Sequence, residues 1–322
     1  MDISLALGGG GIKGLAHIGV LECLEDAGFK IRSIAGTSVG GLVGAVYAAG
    51  YTPREILAVV NSINPDKLYV RHPSDAPSLL GYTGLADALV DVLGESQFTD
   101  LKIPFACTAV DTKTTHEIYL NEGRVLDAVL AAIAIPGIFP PLIRGNAELV
   151  DGGILDPIPV NLARCMSPKL PVIAVALNPD RADWHRIPEF NIVPPPSLPI
   201  PAPLIEGFSR MRIGQAMRMF LHSMDITARM LTELKLEVDK PDVIIRPDVH
   251  DYGMLDAVEP EKLVEAGRRG AVEAVPRIHK SLSWSNTIKR VLRSPTRPQG
   301  ERLPCSDENT HPLVEPTAGE TQ

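Results

Sequence analysis

Along the first part of the chain, short apolar runs alternate with longer amphipathic ones, and the joints between them are built of glycine. Ile3 to Leu7 has the length and composition of a buried strand. Gly8-Gly9-Gly10-Gly11-Ile12-Lys13-Gly14 follows, and then a helix expected over Leu15 to Ala27. Leu15, Ile18, Val20, Leu21 and Leu24 fall mostly on one face of that helix, with Glu22, Glu25 and Asp26 off it and Gly28 as its C-terminal stop. The same order repeats at once: Ile31 to Ala35 reads as a parallel strand, Gly36-Thr37-Ser38-Val39-Gly40-Gly41 as the joint, and Leu42 to Ala49 as a packed helix. Strands alternating with helices in this way point to an α/β fold.

Further along, Thr52-Pro53-Arg54-Glu55 is a helix start with threonine as cap, leading into Ile56 to Ser62. Residues 64–84 read as irregular, Leu85 to Leu93 as a helix, and Ile103 to Val110 as a strand that turns through Asp111 to Thr115 into a polar strand, His116 to Leu120. Val125 to Ile135 reads as an apolar helix halted by Pro136, and Glu148 to Asp151 as a strand ending on an acid before Gly152-Gly153. Val172 to Leu177 is another strand. Residues 180–203 are loop-like and end in a Pro-rich stretch, 194–203. A long helix is expected over Phe208 to Val238, whose Met211, Met217, Met219, Met224 and Met230 either line an acyl groove or fill gaps in the core. A strand at Val243 to Ile245 and a helix from Pro260 to Val275 follow. In Ser283 to Arg293, Trp284, Ile288, Val291 and Leu292 recur at helical spacing beside Lys289, Arg290 and Arg293, which suits an anionic membrane interface or a solvated helix docked on the domain. Residues 294–322 are polar and proline-rich, as a disordered tail would be.

Composition narrows the function classes. With 322 residues, 45% hydrophobic and 22% charged, the chain can bury a large core. A net charge of -8 argues against nucleic acid as a partner. Neither a leader nor a membrane-spanning run is evident, and Cys23, Cys107, Cys165 and Cys305 have no metal or disulfide spacing, so a cytoplasmic location is expected, with no metal and no cofactor.

The chemistry gathers at the glycine joints. In Gly36-Thr37-Ser38-Val39-Gly40, a serine stands on a sharp strand-to-helix elbow, its hydroxyl beside the positive end of a helix. The first glycine loop collects backbone N–H groups around an anion. A dinucleotide pyrophosphate would suit Gly9, Gly11 and Gly14, but the next strand ends in Ala35-Gly36 and not in the acid a ribose needs. A nucleotide P-loop needs Ser or Thr after its lysine, and Lys13 precedes Gly14. The oxyanion of acyl transfer fits, because adjacent parallel strands bring loop and elbow to one sheet edge. On spacing alone, Asp151 is better explained as a turn cap before glycine.

Taken together, Gly9-Gly10-Gly11-Ile12-Lys13-Gly14, Gly36-Thr37-Ser38-Val39-Gly40 and Asp151-Gly152-Gly153 resemble the patatin-like phospholipase family, with support from Cys107 to Asp111 and Ala134 to Pro141. The resemblance runs from about Ile3 to Pro179. It implies a three-layer α/β/α domain with a mostly parallel central sheet, and a lipid acyl hydrolase using a Ser–Asp dyad. Ser38 would be the nucleophile and Asp151 its base, with the amides of Gly9, Gly10 and Gly11 as oxyanion site and Lys13 and Gly14 supporting that loop. His17 matches a family histidine that is not the base. Gly8 and Ala132 depart from the family, standing where plant members carry aspartate and many members carry serine.

The expected organisation is a catalytic domain over residues 1–280, with a motif-bearing core at 3–179 and an extension at 180–280, then an amphipathic helix at 281–293 and the tail. The expected partner is a lipid ester, with peripheral membrane contact; lipid class and oligomeric state have no signature in the sequence. A transacylase or a lipid-binding protein shares the fold. A Ser-Asp-His triad would have to use His250.

Overall fold

The computed structural model describes residues 1–64, 78, 80–81, 83–186, 212–254, 256, 258–292 and 300–302. Its strands are β1 (Asp2–Leu7), β2 (Lys30–Thr37), β3 (Phe105–Asp111), β4 (His116–Leu120), β5 (Leu142–Arg144), β6 (Ala147–Asp151), β7 (Val172–Val175), β8 (Val243–Ile245) and β9 (Glu301–Arg302). Its helices are α1 (Ala16–Asp26), α2 (Val39–Ala49), α3 (Pro53–Ser62), α4 (Thr83–Leu93), α5 (Val125–Ala132), α6 (Val160–Met166), α7 (Arg212–Asp239), α8 (Pro260–Ser281) and α9 (Trp284–Val291). The sheet order is β5-β6-β3-β2-β1-β7-β8, with β4 on the other edge of β3. Strands β3, β2, β1, β7 and β8 run parallel, while β4 and β6 lie antiparallel to β3. The α/β/α arrangement expected from the sequence is therefore the one found.

Period-two alternation sorts the strands into two faces. Ile3, Leu5, Leu7 and Ile34 join the core that holds α1 to α5 and α8. Ala6, Ala35, Ala106, Ala174 and Ala176 form the opposite face, covered by Val160, Leu162 and Ala163 of α6 and Leu236 of α7. These alanines leave room for α6 to lie close to the sheet. The start of α3 is as the sequence reads: Thr52 and Glu55 form a reciprocal capping box with Pro53 in the first turn.

Glycines bring α2 against the strands. A Cβ on Gly40 would meet the carbonyl oxygens of Leu7 and Gly8, and one on Gly36 would lie 2.5 Å from the Gly40 carbonyl. The elbow thus closes backbone on backbone.

Several elements differ from expectation. α5 stops at Ala132 and not at Ile135, because the chain leaves the helix to place the Ala134 carbonyl on the Asp151 N–H at 3.0 Å. α8 continues past Pro276 to Ser281, the proline removing only the bond to Val272 on the exposed side. β5 is three residues long with Ile143 facing solvent, so it carries no alternating signal. Met219 and Met230 face solvent and do not fill the core, whereas Met224 packs on it; Met211 and the Met217 side chain lie outside what is described. α9 forms as read, but Arg290 is buried and pairs with Asp242 at 2.9 Å, so this basic residue docks the helix instead of facing outward. Glu301 and Arg302, expected in a disordered tail, pair in parallel with Ile118 and Tyr119 of β4. The rest of residues 294–322, and the Pro-rich 194–203 stretch, lie outside the described residues. Among the described residues, no helix is long and apolar enough to cross a membrane.

The close approach at the elbow makes Gly40→Ala costly. It should lower unfolding free energy in urea by about 3 kcal/mol or prevent folding, whereas Gly28→Ala, with open space and only a positive φ to oppose it, should cost about 1 kcal/mol. Equal costs would remove the packing argument.

Candidate active site

One edge of β3 is shared by two strands laid end to end. β2 pairs with Phe105 to Thr108 and stops at Thr37; β6 then pairs with Ala109 to Asp111, entering from the opposite direction, so that Asp151 lies across from Ala109. The residue after Thr37 and the last residue of β6 consequently face each other. Thr37 locks the junction. Its Oγ1 donates to the Asp156 carbonyl at 2.8 Å, and since it has one proton, Thr108 Oγ1 is the donor in the 2.8 Å bond between the two threonines.

Ser38 caps α2 with φ 53 and ψ -129, a strained conformation for a residue with a side chain, costing on the order of 1–3 kcal/mol. Its carbonyl accepts the N–H groups of Gly41 and Leu42, which holds the strain in place. Ser38 is 7% exposed, at the positive end of the helix. Val39, the first residue of α2, lies against Gly14, where no Cβ would fit, so the glycine loop sits directly on the elbow.

Asp151 is buried. It caps the short turn Gly152–Ile154, its Oδ1 accepting the Gly153 N–H at 2.7 Å, and the Ser38 hydroxyl is near enough to the same carboxyl to favour its charged form. Burial raises its pKa from the ordinary carboxylate value to about 6, against the pull of the Ser38 hydroxyl and the Gly153 N–H. The carboxylate is a stronger base than an exposed one.

The glycine loop needs one correction. Gly9 packs against Ser38, with a Cβ there only 3.0 Å from the serine Cβ, but its N–H donates to the Pro157 carbonyl at 3.0 Å and is spent. Gly8 N–H is likewise bound to Val175, and Ile12 N–H to the Met254 carbonyl. Among the described residues, the N–H groups of Gly10 and Gly11 have no such partner, Gly11 holding φ 60 beneath Met254. The available amides are therefore these two. Pro157 and Met254 escaped the sequence reading because they act through backbone carbonyls, which no side-chain pattern announces.

The histidines stand apart from this chemistry. His17 is buried, with its pKa lowered by burial to about 4, so its neutral ring donates from Nε2 to the Gly8 carbonyl at 2.8 Å and steadies the loop. His250 is buried with no hydrogen-bond partner at Nδ1, so that nitrogen makes no triad bond to Asp151. Lys13 is buried against the loop: its aliphatic chain lies beside Gly10, and burial lowers its pKa while Asp225 and Asp256 oppose that.

A patatin-like phospholipase family model matches residues 5–164. The chain is 36% identical over 191 residues to an uncharacterized NTE family protein of Mycobacterium tuberculosis (strain ATCC 25618 / H37Rv), covering 59% of this chain and 53% of that one. A second NTE family protein of the same strain is 31% identical over 281 residues, 85% of this chain and 47% of that one. Lysophospholipase nte1 of Aspergillus fumigatus is 30% identical over 169 residues, 49% of this chain and 11% of the fungal one. The chain thus spans about half the length of the mycobacterial relatives.

The raised Asp151 pKa has a consequence for stability. Between about pH 4 and pH 6 the folded chain keeps a proton that the unfolded chain has lost, so this group's contribution to stability falls as pH rises through that window, by on the order of 3 kcal/mol. Asp151→Asn does not titrate. Its unfolding free energy relative to the parent should rise by that amount between about pH 4 and pH 8 in urea titrations; a constant difference would mean that Asp151 is not desolvated.

Proposed function

Because the chain belongs to the patatin-like phospholipase family, we propose that it is a lipid acyl hydrolase working through a Ser38–Asp151 dyad. What carries the proposal is one juxtaposition: a strained, helix-capping serine beside a buried carboxyl whose pKa is raised to about 6. A carboxylate is an ordinary base only in water. Stripped of water here, it becomes able to take the Ser38 proton as the oxygen attacks.

The steps follow from the residues. Ser38 Oγ adds to the ester carbonyl while its proton passes to Asp151. The carbonyl oxygen becomes an oxyanion that the Gly10 and Gly11 amides and the α2 terminus are placed to stabilise, each such donor being worth on the order of 3 kcal/mol. Collapse breaks the ester C–O bond, and Asp151 returns its proton to the leaving alcohol. Water then attacks the acyl-serine, giving its proton to Asp151, and the acid departs as Ser38 is restored. The site asks for no metal and no histidine. The fungal relative bears the name lysophospholipase, so lysophospholipids are the first substrate class to try, with diacyl phospholipids and acylglycerols beside them.

Turnover of such a lipid panel by the purified chain tests this. Ser38→Ala and Asp151→Asn should each lower kcat/KM at least about a thousandfold on whichever ester is cleaved. An Asp151→Asn enzyme as active as the parent would overturn the dyad. Acyl transfer to an added alcohol in preference to water would make the protein a transacylase instead.

A further inference from the structure

The longest helix has a side that the fold leaves uncovered. α7 runs for 28 residues, and Leu221, Asp225, Arg229, Thr232 and Leu236 turn one side of it into the body of the domain. On the other side Met219, Phe220, Ile226, Met230, Leu234 and Val238 are exposed, Met219 by 67% and Val238 by 68%. From Ile226 onward they recur every four residues, which stacks them into a single stripe.

From Met219 to Leu234 the stripe is without charge. The remaining exposed residues there are Ser223 and Thr227, and both hydroxyls are turned back onto the helix: Ser223 Oγ donates to the Met219 carbonyl at 2.8 Å and Thr227 Oγ1 to the Ser223 carbonyl at 2.9 Å. A hydroxyl bonded in this way can leave water without an unpaired donor. Charge returns at Glu237, which is tied to Arg181 at 3.0 Å.

The stripe begins beside the candidate site. The Phe220 ring lies 4.0 Å from the place of a Cβ on Gly137, in the turn after α5 whose Ala134 carbonyl holds the Asp151 N–H. Its extent speaks against a second copy of the chain as occupant. About 29 Å long and roughly 10 Å wide, it offers on the order of 300 Å², against the about 800 Å² per partner that a stable dimer buries. A fluid lipid surface sets no such minimum, and apolar side chains of this size gain about 1.5–3 kcal/mol each when fully buried.

We infer that this uncharged side of α7 is the surface by which the protein lies on a lipid bilayer, seating the six apolar side chains among the lipid chains with the candidate site close by. What is delivered to Ser38 rests on the proposed ester chemistry; the membrane contact itself does not.

The test uses the full chain and phosphatidylcholine vesicles. In the double variant Met230→Glu, Leu234→Glu, co-sedimentation affinity and turnover of vesicle-borne ester should both fall at least about tenfold, while turnover of a soluble short-chain ester stays unchanged. A Met230→Trp variant should show blue-shifted emission, relative to the parent, when vesicles are added. Unaltered vesicle binding by the double variant, or unmoved tryptophan emission, overturns the inference. So does a parent dimer that the double variant dissolves, which would make the stripe a contact between copies. A lowered melting temperature of the double variant without lipid also overturns it, by making the stripe a seat for the chain's own residues. Vesicle binding lost with the stripe in a chain that cleaves no ester would refute the catalytic proposal alone.

Discussion

The edge of β3 is where this molecule is decided. A strand has two edges, and β4 occupies one of them. The other is divided between β2 and β6, which meet head-on between Thr108 and Ala109. Backbone hydrogen bonds fix that meeting to the spacing of one residue, so Ser38 and Asp151, more than a hundred positions apart in the chain, are held together by the sheet itself and not by flexible loops. The antiparallel entry of β6 is what turns its last side chain back toward the elbow. Had β6 joined in parallel, its acid would have emerged at the far end of β3.

Burial then supplies the chemistry that geometry alone does not. Asp151 is shut off from solvent, and the resulting rise in pKa works against the folded state while making the carboxylate a stronger base. The glycine loop is held from three directions, by Pro157 at Gly9, Val175 at Gly8 and Met254 at Ile12. With those amides committed, the two that remain free are fixed in place rather than adjustable, which is the form of preorganisation acyl transfer rewards. Strain at Ser38 is carried by α2, whose first turn anchors on the serine carbonyl.

Much of this was legible in the residues. The strand, glycine loop and helix order of the first fifty positions appears as read, and so does the capping box at Thr52, because each rests on local side-chain and turn preferences. What escaped was set by distant backbone. On spacing Asp151 looked more like a turn cap, and it is one; only the pairing of β6 with β3 brings the serine beside it. Gly9 looked like an oxyanion donor until Pro157, far along the chain, took its N–H. The methionines of α7 suggested a groove or core filling by composition, whereas which way a helix turns depends on Leu221, Leu236 and the body they meet. Arg290 looked like a surface charge, and Asp242 brought it inward.

The central claim is that Asp151 draws the proton from Ser38 and is itself half-protonated near pH 6. Its most direct measure is the rate at which a fluorophosphonate labels Ser38 as pH is varied, since that reaction needs the nucleophile and its base but no lipid. The rate should climb through about pH 6 in the parent and become slow and flat in Asp151→Asn. Rapid labelling of Ser38 in Asp151→Asn, with the parent's pH profile retained, would contradict the account.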